Sequence, residues 1–173
     1  MQYTSKYTSR LGEMLLASDG ENLTGLWFFG QKYFANNLDC QSIEKDLPIF
    51  SQTKMWLDTY FAGEFPSSLP SISLNGNSEF RERVLKILLQ IPYGKTTTYG
   101  AIAKQIENET CKRASAQAVG GAVGHNPIAI LIPCHRVLGS NKKLIGYAGG
   151  INKKIELLKL ENVKCLGIFP LNL

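Results

Sequence analysis

The chain has 173 residues, 44% of them hydrophobic, and a formal net charge of +5 at pH 7. That length allows one core or two small domains of about 80 residues each. No segment approaches the roughly 20 apolar residues of a membrane span, and the N-terminus lacks the apolar core and cleavage site of a secretory signal. We therefore expect a soluble, cytoplasmic protein with no membrane partner. The mild basic excess is only weakly suggestive of an anionic partner.

Four cysteines stand at positions 40, 111, 134 and 165, with intervals too long for a Cys-x-x-Cys zinc or redox motif. A disulfide framework would be unusual in a cytosolic chain of this size. We therefore expect free thiols, at least three of them inert.

The first half of the chain predicts a small α/β unit. Residues 1–35 alternate and break like a short antiparallel meander that ends in LTGLWFFGQKYF. Residues 42–63 carry apolar residues at helical spacing, with Pro48 expected in the first turn, where a missing amide proton matters little. Residues 64–77 are rich in Pro, Ser, Gly and Asn and predict a linker, so that the first domain with its linker spans 1–77.

The second domain, over 78–173, begins with a helix in SEFRERVLKILLQI, for which Ser78 is the expected N-cap. Two further short helices are predicted in TTTYGAIAKQIEN and RASAQAVGGAVG. A turn with lysine and arginine joins them, and the pair resembles a helix-turn-helix.

The second helix of this pair is nearly bare of side chains between residues 114 and 122. Glycine costs a helix about 1 kcal/mol relative to alanine, so Gly120 and Gly121 require a reason. Dense packing against neighbouring elements is one reason, and close approach of the helix backbone to another molecule is the other. On this helix alone we favour packing.

The stretch ILIPCHRVLG places Cys134 and His135 side by side. A cysteine attacks only as the thiolate, and its free pKa of about 8.5 requires a base or a positive environment. Neighbouring side chains of an extended segment point to opposite faces, so a water relay or a turn at Pro133 would have to connect the two. The alternative is an inert buried cysteine, since free cysteine is among the most buried residue types.

The longer string GGAVGHNPIAILIPCHRVLGSNKKLIGYAGG closely resembles the active-site region of the O6-alkylguanine-DNA alkyltransferases. The resemblance is strong over 78–161 and looser over the N-terminal half, where mainly LTGLWF is similar. The matching motifs occur in the family's order: Ile91-Pro92-Tyr93-Gly94, Thr98-Tyr99, Ala118 to Ala122, Asn126-Pro127, Ile132 to Val137, Gly146 to Gly150, Lys153-Lys154, Leu157-Leu158 and Glu161.

The resemblance implies an α/β fold, with a small N-terminal ribonuclease H-like α/β domain followed by a mainly helical C-terminal domain that carries the helix-turn-helix. It implies a DNA-repair enzyme, a methylated-DNA–protein-cysteine S-methyltransferase. Such an enzyme moves the alkyl group of O6-alkylguanine, and less well of O4-alkylthymine, irreversibly to Cys134 in a single turnover. The implied partner is double-stranded DNA containing the lesion, and we expect a monomer. No metal or organic cofactor is expected, because the thiolate does the chemistry.

The resemblance also implies the catalytic roles. Cys134 is the nucleophile, His135 the base acting through a water, and Glu161 the carboxylate that orients the imidazole. Asn126 braces the turn before the active-site segment, and Tyr99 donates a proton or hydrogen bond to the leaving guanine. Taken singly, each of the last three residues also has a purely structural explanation. Glu161 could be a solvated helix residue, Asn126 a turn former before proline, and Tyr99 a core aromatic.

The implied pocket is lined by Val123, Val137, Tyr147 and Ala148. The implied DNA-binding residues are Thr98, Tyr99, Ser115, Gln117, Ala118, Gly120 and Arg136. The damaged nucleotide must be flipped out of the duplex, and a bare helix suits a minor groove about 6 Å wide. Gln117 stands where many relatives carry arginine, and it lacks the charge and stacking plane of a guanidinium.

Three other functions stay open on the sequence. A lesion sensor would bind without transfer, although the alkyltransferase-like proteins replace the cysteine, commonly by tryptophan. A sequence-specific regulator would require long polar side chains on the recognition helix to read the major groove. A cysteine hydrolase would turn over through a hydrolysable acyl adduct.

Overall fold

The computed structural model describes residues 1–163. Its internal contacts divide it into two compact units, the first formed by residues 1–77 with 127–131 and the second by the remaining residues. Residues 127–131 therefore lie in the first unit, whereas a single boundary after residue 77 places them in the second. Within the described range no helix is long and apolar enough to cross a membrane.

The first unit is built on a four-stranded sheet with the order β3-β2-β1-β4. Strands β1 (Tyr3–Ser9), β2 (Gly12–Ser18) and β3 (Leu23–Phe28) are antiparallel, which confirms the predicted meander. The short strand β4 (Ile43–Glu44) pairs in parallel with β1. At the other edge, residues 127–131 pair with β3 through the bonds Leu26 N to Pro127 O (2.8 Å) and Ala129 N to Leu26 O (2.9 Å).

Helix α1 (Pro48–Phe61) contacts β1 and β2 and buries Ile49, Phe50 and Leu57. The helix begins at Pro48, because proline has no amide proton to donate and biases the preceding residue toward extended backbone. Leu47 is accordingly extended, with φ −130° and ψ 149°. The predicted place of Pro48 in the first turn is confirmed, and residues 42–47 of the predicted segment lie before the helix.

The second unit contains three mutually contacting helices, α2 (Glu79–Leu89), α3 (Tyr99–Thr110) and α4 (Ala116–Gly124). Each begins after a side-chain cap, which contributes about 1 kcal/mol to a helix. The three capping hydroxyls accept backbone N–H groups: Ser78 from Arg81 (3.3 Å), Thr98 from Ala101 (3.1 Å) and Ser115 from Ala118 (3.1 Å). The predicted helix start at Ser78 and the predicted pair of short helices are both confirmed.

After α4 the chain forms a 3-10 turn at Cys134–Arg136 and then strand β6 (Val137–Leu138). A second 3-10 turn at Ser140–Lys142 and helix α5 (Ile151–Leu160) complete the described range. Strand β6 pairs in parallel with β5 (Thr97–Thr98), with Thr98 opposite Leu138. This two-stranded pairing holds the start of α3 beside the chain that leaves Cys134, and the sequence did not predict it.

Candidate active site

Cys134 is the first residue of the 3-10 turn and is only 5% exposed. The turn follows Pro133, whose φ of −81° and ψ of 62° bend the chain. Cys134 N bonds Ile132 O (2.8 Å) and Arg136 N bonds Pro133 O (3.0 Å). The segment is therefore a turn, as one of the two sequence alternatives allowed, and alternation along an extended strand does not apply here.

Asn126 contacts the cysteine sulfur directly. Its Nδ2 donates to Cys134 Sγ over 3.1 Å and to Ile132 O over 2.8 Å, and the residue is 5% exposed. Burial raises the pKa of the Cys134 thiol, whereas the Asn126 hydrogen bond and the nearby Lys154 charge lower it. Asn126 thus bonds both the turn and the sulfur, and the sequence did not reveal the bond to sulfur.

His135 pairs with Glu161 in a site with no solvent exposure of either side chain. His135 Nε2 lies 2.7 Å from Glu161 Oε1. Burial raises the pKa of Glu161, but the hydrogen bonds and charges of His135 and Arg136 outweigh it and lower the pKa to about 2. The carboxylate is ionised at neutral pH, so the Nε2 position carries the imidazole proton and the lone pair lies on Nδ1.

The protonation state of His135 suits a base. Burial lowers the pKa of this imidazole, against the opposing effects of the hydrogen bond and charge of Glu161. The ring is therefore neutral at physiological pH and able to accept a proton at Nδ1. Cys134 and His135 thus have different partners, Asn126 for the sulfur and Glu161 for the ring, although they are adjacent in sequence.

Arg136 is buried, with 7% of its surface exposed. Its Nε and Nη2 donate to the two oxygens of Glu161 over 2.8 and 2.9 Å, and its Nη1 donates to Ile91 O over 2.6 Å. The sequence assigned Arg136 to DNA contact. In the structure the guanidinium lies in the protein interior, where two of its N–H groups pair with the two oxygens of the Glu161 carboxylate.

The turn at Pro92-Tyr93-Gly94 holds the end of α5. Gly94 N donates to Glu161 Oε2 over 3.2 Å, and Tyr93 Oη donates to Leu160 O over 3.2 Å. Gly94 has φ +69°, and a Cβ added there would lie 3.0 Å from Glu161 O. Glycine is required on both counts. Sequence reasoning gave this turn no site role, although its motif carried part of the resemblance.

Two tyrosines lie near the cysteine. Tyr99 begins α3, its hydroxyl lies 3.5 Å from Ile145 O, and burial followed by the effect of Cys134 raises its pKa to about 12. Tyr147 has a buried hydroxyl for which the described residues supply no hydrogen-bond partner, and burial raises its pKa well above the ordinary value. Both phenols therefore stay protonated at neutral pH and can donate a hydrogen bond.

A cavity of about 540 Å³ opens between α3, α4 and the loop before α5. Tyr99, Gln117, Gly120, Ile145 and Gly146 are among the residues that line it. The four residues predicted to line the pocket are not among the residues that line this cavity: Val123 and Val137 are buried, and Tyr147 and Ala148 are half-buried.

The exposed face of α4 carries Ser115, Gln117 and Ala118, and the Ser115 and Thr98 hydroxyls are used as helix caps. A Cβ added at Gly121 would meet nothing within 4 Å, and one at Gly120 would lie at an ordinary 3.8 Å from Tyr99. Crowding by neighbouring elements thus does not require these glycines. Packing, which we favoured, therefore does not account for Gly120 and Gly121, and close approach of another molecule is the explanation that remains for these two positions.

Comparison with known proteins gives the same family over both units. Residues 79–163 match the family model described as "6-O-methylguanine DNA methyltransferase, DNA binding domain", and residues 2–74 match its "ribonuclease-like domain". A "Methylated-DNA--protein-cysteine methyltransferase" of Mycobacterium bovis is 45% identical over 88% of each chain, and one of Methanosarcina acetivorans is 43% identical over 92% of this chain and 97% of its own.

Among solved structures, Mycobacterium tuberculosis OGT in complex with DNA superposes with a TM-score of 0.80 and 43% identity, covering 92% of each chain. The similar proteins define a class, the methyltransferases whose acceptor is a protein cysteine. The chain belongs to the 6-O-methylguanine DNA methyltransferase family, and it is an enzyme of this class. The predicted resemblance and the predicted α/β fold class are thereby confirmed.

Proposed function

We propose that the protein repairs double-stranded DNA by moving the methyl or small alkyl group of O6-alkylguanine onto Cys134. The observation that carries this assignment is the buried Cys134 sulfur, which accepts a hydrogen bond from Asn126 beside the His135–Glu161 pair. Family membership supports alkyl transfer to the protein's own cysteine, and the DNA complex of the M. tuberculosis relative supports DNA binding. O4-alkylthymine is a lesser substrate in this proposal.

The transfer is a substitution at carbon. The Cys134 sulfur lone pair forms a new bond to the alkyl carbon while the bond from that carbon to guanine O6 breaks, and the electron pair stays on the base. The thiol proton leaves toward His135 Nδ1 through a water, and a proton returned to the base yields guanine. The products are a thioether at Cys134 and unmodified guanine. Since a thioether does not hydrolyse readily, each molecule reacts once.

The surrounding groups are suited to stabilise the charge on the sulfur nucleophile and the charge on the leaving base. The Asn126 amide stabilises negative charge on sulfur, and ionised Glu161 stabilises the proton that His135 accepts. The Tyr99 phenol, protonated at neutral pH, donates to the base as charge develops on it. Arg136 acts on the reaction indirectly, because its guanidinium holds the carboxylate of Glu161 in place.

The damaged nucleotide reaches the sulfur only after leaving the base stack. We assign the exposed face of α4 to the minor groove, because its small side chains allow the helix backbone to approach the groove floor. Minor-groove readout is degenerate, which matches a protein that must act on damage in any sequence. Thr98, Tyr99, Ser115, Gln117, Ala118 and Gly120 form the proposed DNA-binding face.

We expect the monomer to be active. The test is incubation with duplex DNA that carries O6-methylguanine, followed by intact-mass measurement of wild type and of Cys134→Ala. We expect one methyl-sized gain in wild type and none in the variant. Binding without a mass gain would favour a lesion sensor, and repeated turnover would favour a hydrolase. Either result would overturn the proposal, as would a gain that persists in Cys134→Ala.

A further inference from the structure

Lys154 on α5 is fully buried, with no surface exposed to solvent. Its ammonium donates to three backbone carbonyls, Val137 O at 2.6 Å, Ile145 O at 2.8 Å and Gly146 O at 3.1 Å. Among the described residues no carboxylate pairs with it. A buried and uncompensated cation is costly, so its place in the fold requires a reason.

The three carbonyls belong to two segments, one that follows the cysteine in the chain and one that lines the cavity. Val137 directly follows the turn that contains Cys134, and Ile145 and Gly146 line the cavity and lead into Tyr147. The Tyr99 hydroxyl also approaches Ile145 O, at 3.5 Å. Lys154 thus joins the strand that follows the cysteine to the loop that lines the cavity at Ile145 and Gly146.

The hydrogen bonds select the charged form of the side chain. A protonated lysine has three N–H donors, and all three are used by the three carbonyls. The neutral amine has only two, so deprotonation would leave one buried carbonyl without its donor. Burial lowers the pKa of Lys154 to about 8, and the charge of Cys134 acts in the opposite direction.

The ionisable groups around the ammonium come from several elements. Cys134 and His135 on the 3-10 turn interact electrostatically with Lys154, and Tyr99 on α3 approaches Ile145 O, a carbonyl that the ammonium also binds. Among the described residues the buried carboxylate is Glu161, and it is already bonded by His135 and Arg136. The sulfur of Cys134 is therefore the group whose negative form the Lys154 charge is free to stabilise.

We propose that Lys154 is a positioning residue of the transfer reaction: its ammonium holds the cavity loop at Ile145–Gly146 against β6, and its charge favours the thiolate of Cys134. This inference rests on the proposed function, because it concerns the same nucleophile. It adds a role that the Cys134, His135 and Glu161 set does not supply, a positive charge that acts on the sulfur.

The test compares Lys154→Met with Lys159→Met, which removes a surface lysine of the same helix that pairs with Glu156. Single-turnover methyl transfer from an O6-methylguanine duplex is followed from about pH 6 to about pH 10. We expect Lys154→Met to react about tenfold more slowly at neutral pH. The midpoint of its rate increase with pH should lie about one pH unit higher than in wild type. Lys159→Met should follow the wild-type profile.

A role limited to packing predicts something different, a lower rate at every pH with no displacement of the profile, and that result would overturn the charge assignment. Lys154→Arg keeps the charge but not the three-carbonyl geometry. We expect it to lose rate and keep the wild-type position of the profile. A profile displaced as far as that of Lys154→Met would contradict the proposal.

A measurement on the unmutated protein covers the case in which Lys154→Met does not fold. The Lys154 ammonium is titrated by NMR with isotope-labelled lysine, before and after methylation of Cys134. Because coupling between two groups is reciprocal, loss of the thiolate should lower the pKa of Lys154. An unchanged pKa would overturn the inference. A wild-type protein that gains no methyl group would instead overturn the proposed function, so the two failures are distinguishable.

Discussion

Asn126 donates a hydrogen bond to the sulfur of Cys134 over 3.1 Å, and the same amide group binds Ile132 O over 2.8 Å. One side chain at the end of α4 therefore supports both the turn and the nucleophile. Because α4 is also the proposed DNA-contacting helix, the residue links the helix that would meet the duplex to the atom that would receive the alkyl group.

Removal of this donor tests that link. We expect Asn126→Leu to lower the single-turnover transfer rate by about 10- to 100-fold, because a hydrogen bond to a charged acceptor contributes about 1.5–3 kcal/mol. The affinity for undamaged duplex DNA should change little, since Asn126 is buried. Rapid-quench kinetics and a fluorescence binding titration measure the two quantities. A rate within twofold of wild type would contradict the assignment.

Glu161 should make stability depend on acid pH. Its pKa is lowered to about 2, whereas an unfolded glutamate titrates near about 4.3. Its stabilisation is therefore complete above the unfolded value and is lost as the pH falls toward the folded one. Urea unfolding between about pH 2 and about pH 6 should show wild type losing up to roughly 3 kcal/mol more than Glu161→Gln. Parallel pH curves for the two proteins would exclude this contribution.

Two glycines should respond oppositely to alanine. Gly121 has open space at its Cβ position, so Gly121→Ala should raise the free energy of unfolding by about 0.5–1 kcal/mol through helix propensity. Gly94 has φ +69° and a Cβ position 3.0 Å from Glu161 O, so Gly94→Ala should destabilise the protein by more than about 1 kcal/mol. Thermal and urea melts measure both, and a destabilised Gly121→Ala would restore the packing explanation for α4.

Gln117 is exposed on α4 and lines the cavity. We expect Gln117→Arg to bind duplex DNA more tightly at low salt and to steepen the slope of log affinity against log salt by about one unit, because one more phosphate is neutralised. Gln52→Arg, at an exposed position on α1 of the other unit, is the matched control and should leave the slope unchanged. If both variants changed the slope equally, the change would be explained by net charge and not by contact of the α4 face with DNA.

The sequence by itself determined the parts that depend on short-range interactions. Helix starts at Ser78 and Pro48 follow from a capping hydroxyl and a missing amide proton, both of which act within one turn. The three strands of the meander follow from alternation along adjacent segments. The cysteine and its family followed from a contiguous motif. The sequence also showed that α4 has few large side chains. It did not show why, because the space around Gly121 depends on which residues pack against it in the folded protein.

The resemblance implied the pairing of His135 with Glu161, which lie 26 positions apart. Only the tertiary structure showed which other distant residues share the site, such as Gly94, whose N–H bonds Glu161 across 67 positions. The resemblance implied that Arg136 binds DNA. Its burial against Glu161 is set by the path of the whole chain. Lys154 shows the same limit, since a lysine on a helix is usually solvated, and three backbone carbonyls that converge on one point have no signature in sequence.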